Sequence, residues 1–312
     1  MAENKNILAG GAAIAGRNKR YVVWFWLLNL ALASIGGTAF SLRAHALLDH
    51  SLYAGGLVRG FDLGVLLEML GRPEFGPARA STVPAIMPAV LFFVLTMIFL
   101  PGVLQGYASD HRISRAEFFR ACGVNLWRFV RLTILFAIVG GIVAGILFGI
   151  QNGLIKAADT TSHELLPFYV QLASLAVIFL IMTAMRIWFD LAETSVVLTD
   201  QRAVRKSLGS AFRQTRKNLA RLLASYVAIA IVGLVVLAVG ICLWNMIVPP
   251  ASVLGAFIIS QAILFSLLAV RFWQRATAVA FYTRSAVEQP VEATSLMAPV
   301  LPAPVTSEPA QV

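Results

Sequence analysis

The chain has 312 residues, of which 59% are hydrophobic and 13% are charged, and its mean hydropathy is +0.80. Soluble domains carry about 25% charged residues, and a soluble domain of this size could not bury so much apolar surface. The net charge of +10 lies in short loops between apolar runs, where it sets the orientation of a membrane protein. The composition therefore excludes an ordinary soluble domain, and we expect no nucleic-acid partner.

Six apolar runs follow one another along the chain, and each is long enough to cross a bilayer. They cover residues 21–42, 83–105, 129–150, 168–192, 222–248 and 253–273, and about 20 apolar residues span the hydrocarbon core as a helix. None of the runs shows the period-2 alternation of a membrane β-barrel strand. We therefore predict an all-α fold, a polytopic bundle of six transmembrane helices within residues 21–284.

The distribution of Lys and Arg predicts that both ends lie in the cytoplasm. With the N-terminus inside, only five of the 25 Lys and Arg residues fall in external segments: Arg43, Arg59, Arg72, Arg79 and Lys156. Cytoplasmic loops carry the excess of positive charge in multi-pass proteins. We therefore predict an N-in/C-in protein of the inner (plasma) membrane, with residues 1–20 as a cytoplasmic tail.

Two segments outside the spans have a character of their own. Residues from about 43 to 82 contain apolar positions at helical spacing, which predicts an external helical cap. Such a cap either packs on the bundle or acts as a lid over a substrate, and the sequence leaves both open. Residues 285–312 are rich in Pro, Ala, Val and Glu, a composition that predicts a disordered tail.

Basic amphipathic segments join the second to the third span and the fourth to the fifth. In the latter, Leu208, Phe212 and Leu219 recur near helical spacing. Cations cover most of the remaining surface: Arg205, Lys206, Arg213, Arg216 and Lys217. The other segment carries Arg112, Arg115 and Arg120. We predict two basic interfacial helices that contact anionic lipid head groups; a docking surface for a soluble partner or a phosphorylated ligand is the alternative.

The third and fifth spans begin with similar sequences. Asn-Leu-Trp-Arg at 125–128 and Asn-Leu-Ala-Arg at 218–221 are each followed, at the same distance, by Ala-Ile-Val-Gly, at 137–140 and 230–233. Both units face the same way, so the pattern predicts a parallel internal repeat. Chance similarity between apolar helices is the alternative.

Charged residues occur inside the fourth span. Arg186, Asp190 and Glu193 stand at i, i+4 and i+7 and therefore lie on one helical face. A charge at this depth is costly, so we expect the face to point into the bundle, with Arg186 bridging to Asp190 and Arg271 as a further partner. Two interpretations remain open, a structural ion-pair cluster and a site for transport or catalysis.

Glycines at 141, 145 and 149 repeat every four residues in the third span. Such a face favours close helix packing, inside the bundle or between protomers. Cys122 and Cys242 lie in different apolar segments without a CxxC partner, and no paired carboxylates or Ser/His/Asp set stands out. We therefore expect no metal, no cofactor and no enzymatic activity.

One stretch resembles a known family. From Arg186 and Asp190, through Val196, Val197 and Asp200, to Arg205 and Lys206, it is similar to uncharacterised bacterial six-helix proteins and to the membrane domain of some glycerophosphodiester phosphodiesterases. That pattern has a strand-like Val-Val-Leu-x-Asp run before the basic helix. The resemblance implies a bacterial inner-membrane protein of unassigned role and carries no phosphodiesterase activity.

These observations give three functional expectations. The first is a non-enzymatic accessory or scaffold that binds anionic lipid on its cytoplasmic side and associates with a membrane protein partner or with a second copy. The second is a small transporter or exporter that uses the charged cluster. The third, a lipid-modifying enzyme, has the least support because no convergent nucleophile or acid–base pair is visible.

Overall fold

A computed structural model describes residues 7–48, 78–109, 111–160, 165–199, 204–249 and 252–296, with side chains except at 39–48, 78–85, 204 and 286–296. This part of the chain contains eight helices and no strand. In chain order they are α1 (Ile7–Arg17), α2 (Arg20–Leu48), α3 (Ala78–Ala108), α4 (Arg115–Asp159), α5 (Leu166–Leu198), α6 (Val204–Lys217), α7 (Leu219–Ile247) and α8 (Val253–Leu296).

Six of these helices are long and apolar enough to cross a membrane: α2, α3, α4, α5, α7 and α8. The all-helical fold predicted from the sequence is therefore confirmed, and each of the six predicted spans falls in a helix with the length and apolarity that a crossing requires. The chain is a multi-pass membrane protein. Helices suit this role because each backbone polar group finds its partner within its own segment.

The core of the bundle lies at one end of the spans. In α5 the buried residues run almost continuously from Met185 to Val197, whereas most of the first half of the helix is exposed. The core is built by large side chains from every span: Tyr21, Phe25, Leu104, Phe129, Leu132, Ile187, Leu191, Leu222, Tyr226 and Phe272. This end is the one predicted to face the cytoplasm, and the lipid-exposed half of the bundle is packed less closely.

Two glycines allow α3 to approach its neighbours in this core. A Cβ at Gly102 would collide with Phe118 and Cys122 of α4, and one at Gly106 would collide with the Tyr21 ring of α2. The absence of a side chain at these positions, which share one face of α3, lets α2 and α4 both pack closely on the last turns of α3.

The two ends of the described chain are joined by α1 and α8. Helix α1 packs along α8, where the Trp273 Nε1–H donates to the Leu8 carbonyl at 3.1 Å and Gly11 lies against Thr277. Residues 7–17 of the predicted tail thus form a docked helix. At the other end α8 continues to Leu296, so the prediction of disorder is wrong for residues 285–296; residues 297–312 lie outside the described part.

The first basic segment differs from its prediction. It forms no separate interfacial helix among the described residues, because α4 runs without interruption from Arg115 to Asp159. Ser114 begins it with a reciprocal cap, in which the Ser114 Oγ accepts from the Glu117 N–H and the Glu117 carboxylate accepts from the Ser114 N–H. This capping box fixes the helix start upstream of the apolar run.

The second basic segment is the separate helix α6, as predicted, but it buries an unexpected face. Ser207, Ala211 and Thr215 are buried, whereas Phe212 is exposed and packs edge-on against Trp188 of α5 at 5.2 Å between ring centroids. Small residues at four-residue spacing let α6 lie close to the bundle. The strand-like run expected just before this segment is the helical end of α5, where Val196 and Val197 are buried.

The two similar sequence units also bury corresponding positions. Phe129 and Leu222 are both buried. A Cβ at Gly140 would lie 3.2 Å from Met185 of the following span, and one at Gly233 would lie 3.2 Å from Val270 of the span that follows it. The sequence similarity thus extends to packing, and the duplication itself stays a prediction.

Two further predictions have different outcomes. Residues 49–77 of the predicted external cap lie outside the described residues, and its flanks, 43–48 and 78–82, continue α2 and begin α3.

The glycine face of α4 is not used inside the described bundle, because no described atom of another element lies within 4 Å of a Cβ at Gly141, Gly145 or Gly149. Packing between protomers stays a prediction.

Candidate functional site

A cavity of about 280 Å³ lies among α3, α4, α5 and α8, with Phe25 of α2 closing one side. Its charged groups come from α5 and α8 alone: Arg186, Asp190, Glu193, Arg271 and Arg275. The opposite wall, from α3 and α4, is apolar and aromatic apart from two threonines. The cavity is therefore amphipathic, with a charged side and an apolar side.

Helical periodicity explains why the charges meet. On α5 the lining residues Arg186, Phe189, Asp190 and Glu193 follow the spacing i, i+3, i+4, i+7, and Leu268 to Arg275 follow the same spacing on α8. Residues at these positions share one helix face. Because α5 and α8 are in contact, these faces form the charged wall together.

Asp190 is the best-connected charge of the site. The Tyr226 hydroxyl of α7 donates to its Oδ2 at 2.9 Å, and the Arg186 Nε lies 3.7 Å from the same oxygen. The first contact is a hydrogen bond, while the second is too long for one and is an ion pair only. Asp190 is thus held by one hydroxyl and one neighbouring cation.

Several arginine N–H groups in the site have no hydrogen-bond partner among the described residues. The Nε and Nη2 atoms of Arg186 and the Nε atom of Arg275 are buried and form no hydrogen bond with any described residue. Arg275 as a whole is only 8% exposed. A buried donor without an acceptor costs about 1–3 kcal/mol, and more when the group is charged, so these donors call for an acceptor in the cavity.

The carboxylates of the site do not supply that acceptor. The Glu193 side chain forms no hydrogen bond or direct ion pair with a described residue, and the Asp190 carboxylate already faces Tyr226 and Arg186. Three guanidinium groups and two carboxylates line the cavity, which leaves an excess of positive charge. A planar guanidinium binds phosphate and carboxylate through two parallel N–H donors, so the arrangement suits an anion.

The apolar side of the cavity reaches the surface of the bundle. Phe93 of α3 lines the cavity and is 57% exposed. Phe129 of α4 and Phe272 of α8 also line the cavity, and each is only 1% exposed; the charged side therefore carries an aromatic ring as well. Arg271, on the charged side, also lines the cavity and is exposed, so the cavity comes to the surface on both sides. We call the surface position beside Phe93 the Phe93 portal.

The sequence predicted most of this cluster, and the structure adds two members. Arg186, Asp190, Glu193 and Arg271 line one cavity, and the predicted Arg186–Asp190 pair is confirmed at 3.7 Å. Arg271 lines the cavity without a direct ion pair to a described residue. The added members are Arg275, which stands one helical turn after Arg271, and Tyr226. Extending the sixth span by one turn would have found Arg275, whereas Tyr226 carries no sequence signal.

The residues predicted to contact anionic lipid are all exposed: Arg112, Arg115, Arg120, Arg205, Lys206, Arg213, Arg216 and Lys217. Arg120 additionally lines a shallow polar cavity of about 340 Å³ with Glu117, His111 and Gln105. The exposed cations of α6 lie away from its buried face, so they point outward from the bundle.

The described residues contain no group of three or more His, Cys, Asp or Glu side chains that could hold a metal ion. We call the cavity lined by Arg186, Arg271 and Arg275 the arginine cavity. In the described part it offers guanidinium N–H donors and apolar walls, and no set of metal ligands. Comparison of the chain with family models, with curated proteins and with solved structures finds no match.

Proposed function

We propose that the chain is a non-enzymatic membrane accessory protein that binds an anionic group in the arginine-lined cavity. The observation that carries this proposal is the set of buried guanidinium donors without a hydrogen-bond partner among the described residues, the Nε and Nη2 of Arg186 and the Nε of Arg275. A phosphate or carboxylate accepts such donors and balances the positive charge of the site.

The second element of the proposal is the cytoplasmic side of the protein. The basic face of α6 is exposed, and near an anionic leaflet each Lys or Arg contributes about 1 kcal/mol of attraction. We propose that both ends of the chain lie in the cytoplasm of a bacterial cell, in its inner membrane. A partner, either a second copy or another membrane protein, would use the exposed glycines Gly141, Gly145 and Gly149.

The proposed orientation is tested by cysteine labelling. In a variant without Cys122 and Cys242, a single cysteine in place of Lys206 should react with a membrane-impermeant maleimide only after the cells are opened. A cysteine in place of Lys156 should react in intact cells. The opposite pattern would overturn the N-in/C-in arrangement while leaving the cavity proposal in place.

A second candidate function is transport of the anion. The observation that favours it is the position of the cavity within the spans, with Asp190 eight residues, or about 12 Å of helix, before the end of α5 at Leu198. A charged cavity at this depth is typical of substrate pathways. Uptake of radiolabelled phosphate by vesicles containing the protein tests this candidate against simple binding.

The binding proposal is tested by thermal unfolding in nanodiscs of zwitterionic lipid. Inorganic phosphate should raise the unfolding temperature of the wild type, because a ligand at about 100 times its Kd adds about 2.7 kcal/mol to the folded state. Potassium chloride at equal ionic strength should not. Arg275→Gln should lose the phosphate effect.

The matched control is Lys206→Gln, which removes the same charge from the exposed face of α6 and should respond to phosphate as the wild type does. An equal phosphate effect in the wild type and in Arg275→Gln, or an equal effect of chloride, would contradict binding in the cavity.

A further inference from the structure

We propose that the ligand of the arginine cavity is an anionic lipid of the inner leaflet, which binds by its head group and enters through the Phe93 portal. This inference rests on the proposed function, because it names the class of anion that the site binds. Four features of the cavity favour a lipid: the residues of its walls, its exposure beside Phe93, its volume and its depth.

The walls are suited to an amphiphile. Every charged lining residue belongs to α5 or α8, and the facing wall from α3 and α4 includes Phe93, Met97, Phe129 and Phe136. A free inorganic anion gains nothing from an aromatic wall. A lipid places its anionic head on the arginines and the first carbons of its chain on the rings, so it uses both walls at once.

The volume and the opening limit how much of the lipid enters. Pockets that enclose a drug-sized ligand have about 300–1,000 Å³, so a cavity of about 280 Å³ holds a head group and only part of the acyl chains. The remainder of the chains must leave through an opening. Phe93, which lines the cavity and is 57% exposed, marks an opening toward the hydrocarbon, where acyl chains lie.

The depth of the charges fits the inner leaflet. Helix α6 packs beside α5 at the level of Trp188, whose Nε1–H donates to the Leu208 carbonyl at 3.0 Å. Arg186 and Asp190 flank Trp188 along α5. Arg186 therefore lies about half a turn along α5 from the contact with the basic helix that is proposed to sit at the inner surface, in the half of the span nearer that surface, and a head group bound there stays in its own leaflet.

Photolabelling distinguishes a lipid from a soluble anion. The wild type is placed in phosphatidylcholine nanodiscs that contain phosphatidic acid with a diazirine close to the head-group end of one acyl chain. Phe129 and Phe272 line the cavity and are each 1% exposed, so only a molecule inside the cavity can label them. Phe168 on the outer half of α5 is exposed and reports labelling by any lipid.

We expect labelled peptides at Phe129 and Phe272 with phosphatidic acid, and at least roughly tenfold less with a diacylglycerol that carries the same diazirine, because it lacks the charged acceptor. Phe168 should be labelled by both. Arg275→Gln should reduce labelling at the two buried positions and leave Phe168 unchanged. Excess inorganic phosphate should also reduce labelling at the two buried positions, since phosphate competes with the lipid head group for the same N–H donors.

Two outcomes would overturn the inference. Equal labelling of Phe129 and Phe272 by the charged and the neutral lipid would show that the arginines do not select the head group. Labelling confined to Phe168 would show that lipid does not enter. If one of these outcomes is found but phosphate still stabilises the wild type and not Arg275→Gln, anion binding stands and only the lipid assignment fails. If phosphate does not stabilise the wild type either, the anion-binding proposal and the lipid assignment both fail. The wild-type comparison of the two lipids needs no variant to fold.

Discussion

Removal of the Tyr226 hydroxyl tests whether Asp190 is held as a charged group between two spans. Tyr226 of α7 is fully buried, and its hydroxyl donates to the Asp190 carboxylate of α5 at 2.9 Å. A hydrogen bond to a charged group contributes about 1.5–3 kcal/mol. Neutral interhelical hydrogen bonds in membranes average about 0.6 kcal/mol. We therefore expect Tyr226→Phe to lower the free energy of unfolding by about 1.5–3 kcal/mol.

The assay is unfolding by sodium dodecyl sulfate in mixed micelles, followed by circular dichroism. Tyr282→Phe is the matched control, because its hydroxyl meets the neutral Ser195 Oγ at 3.3 Å, and its loss should cost only about 0.6 kcal/mol. In an Asp190→Asn background the effect of Tyr226→Phe should fall toward this smaller value. Equal costs for the two tyrosines, or a cost of Tyr226→Phe that is unchanged in the Asp190→Asn background, would refute a charged acceptor.

Five further substitutions test packing and helix capping. Gly11→Ala places a Cβ against the Thr277 backbone and should release α1 from α8, seen as faster proteolysis near the N-terminus, whereas Gly16→Ala meets no atom within 4 Å and should not. Gly123→Ala also meets no described atom within 4 Å and should stabilise α4 by about 0.5–1 kcal/mol through helix propensity. Gly106→Ala should destabilise the bundle by collision with Tyr21, and thermal unfolding that ranks the two in the opposite order would contradict the described packing. Ser114→Ala removes the capping box and should cost about 0.5–2 kcal/mol, with faster hydrogen exchange confined to the first turn of α4.

The spans could be predicted because hydropathy and length are properties of each segment alone. The bilayer requires about 20 apolar residues, and every run that met this requirement is a helix in the structure. The charged face of α5 was predictable for a related reason, since residues at i, i+4 and i+7 meet on any helix. Both predictions depend only on local periodicity.

Features that depend on distant contacts could not be predicted in this way. Docking of α1 depends on Trp273 and Thr277 of α8, which no local pattern connects to residues 7–17. The face of α6 that packs on the bundle could not be predicted because the large Phe212 dominates the hydrophobic pattern, whereas the buried positions are the small Ser207, Ala211 and Thr215. Arg275 was missed because the apolar run ends before α8 does.

The contact between α1 and α8 has a consequence for biosynthesis. The Leu8 carbonyl and the Trp273 indole are separated by 265 positions, so the first helix waits for its partner until nearly the whole described chain has been made. At 5–20 residues per second this interval is roughly 13–50 s. During that time Ile7, which is buried in the finished core, is exposed to water or to the membrane surface. The bundle therefore closes only when its last span has arrived, and truncation before α8 leaves α1 without a docking surface.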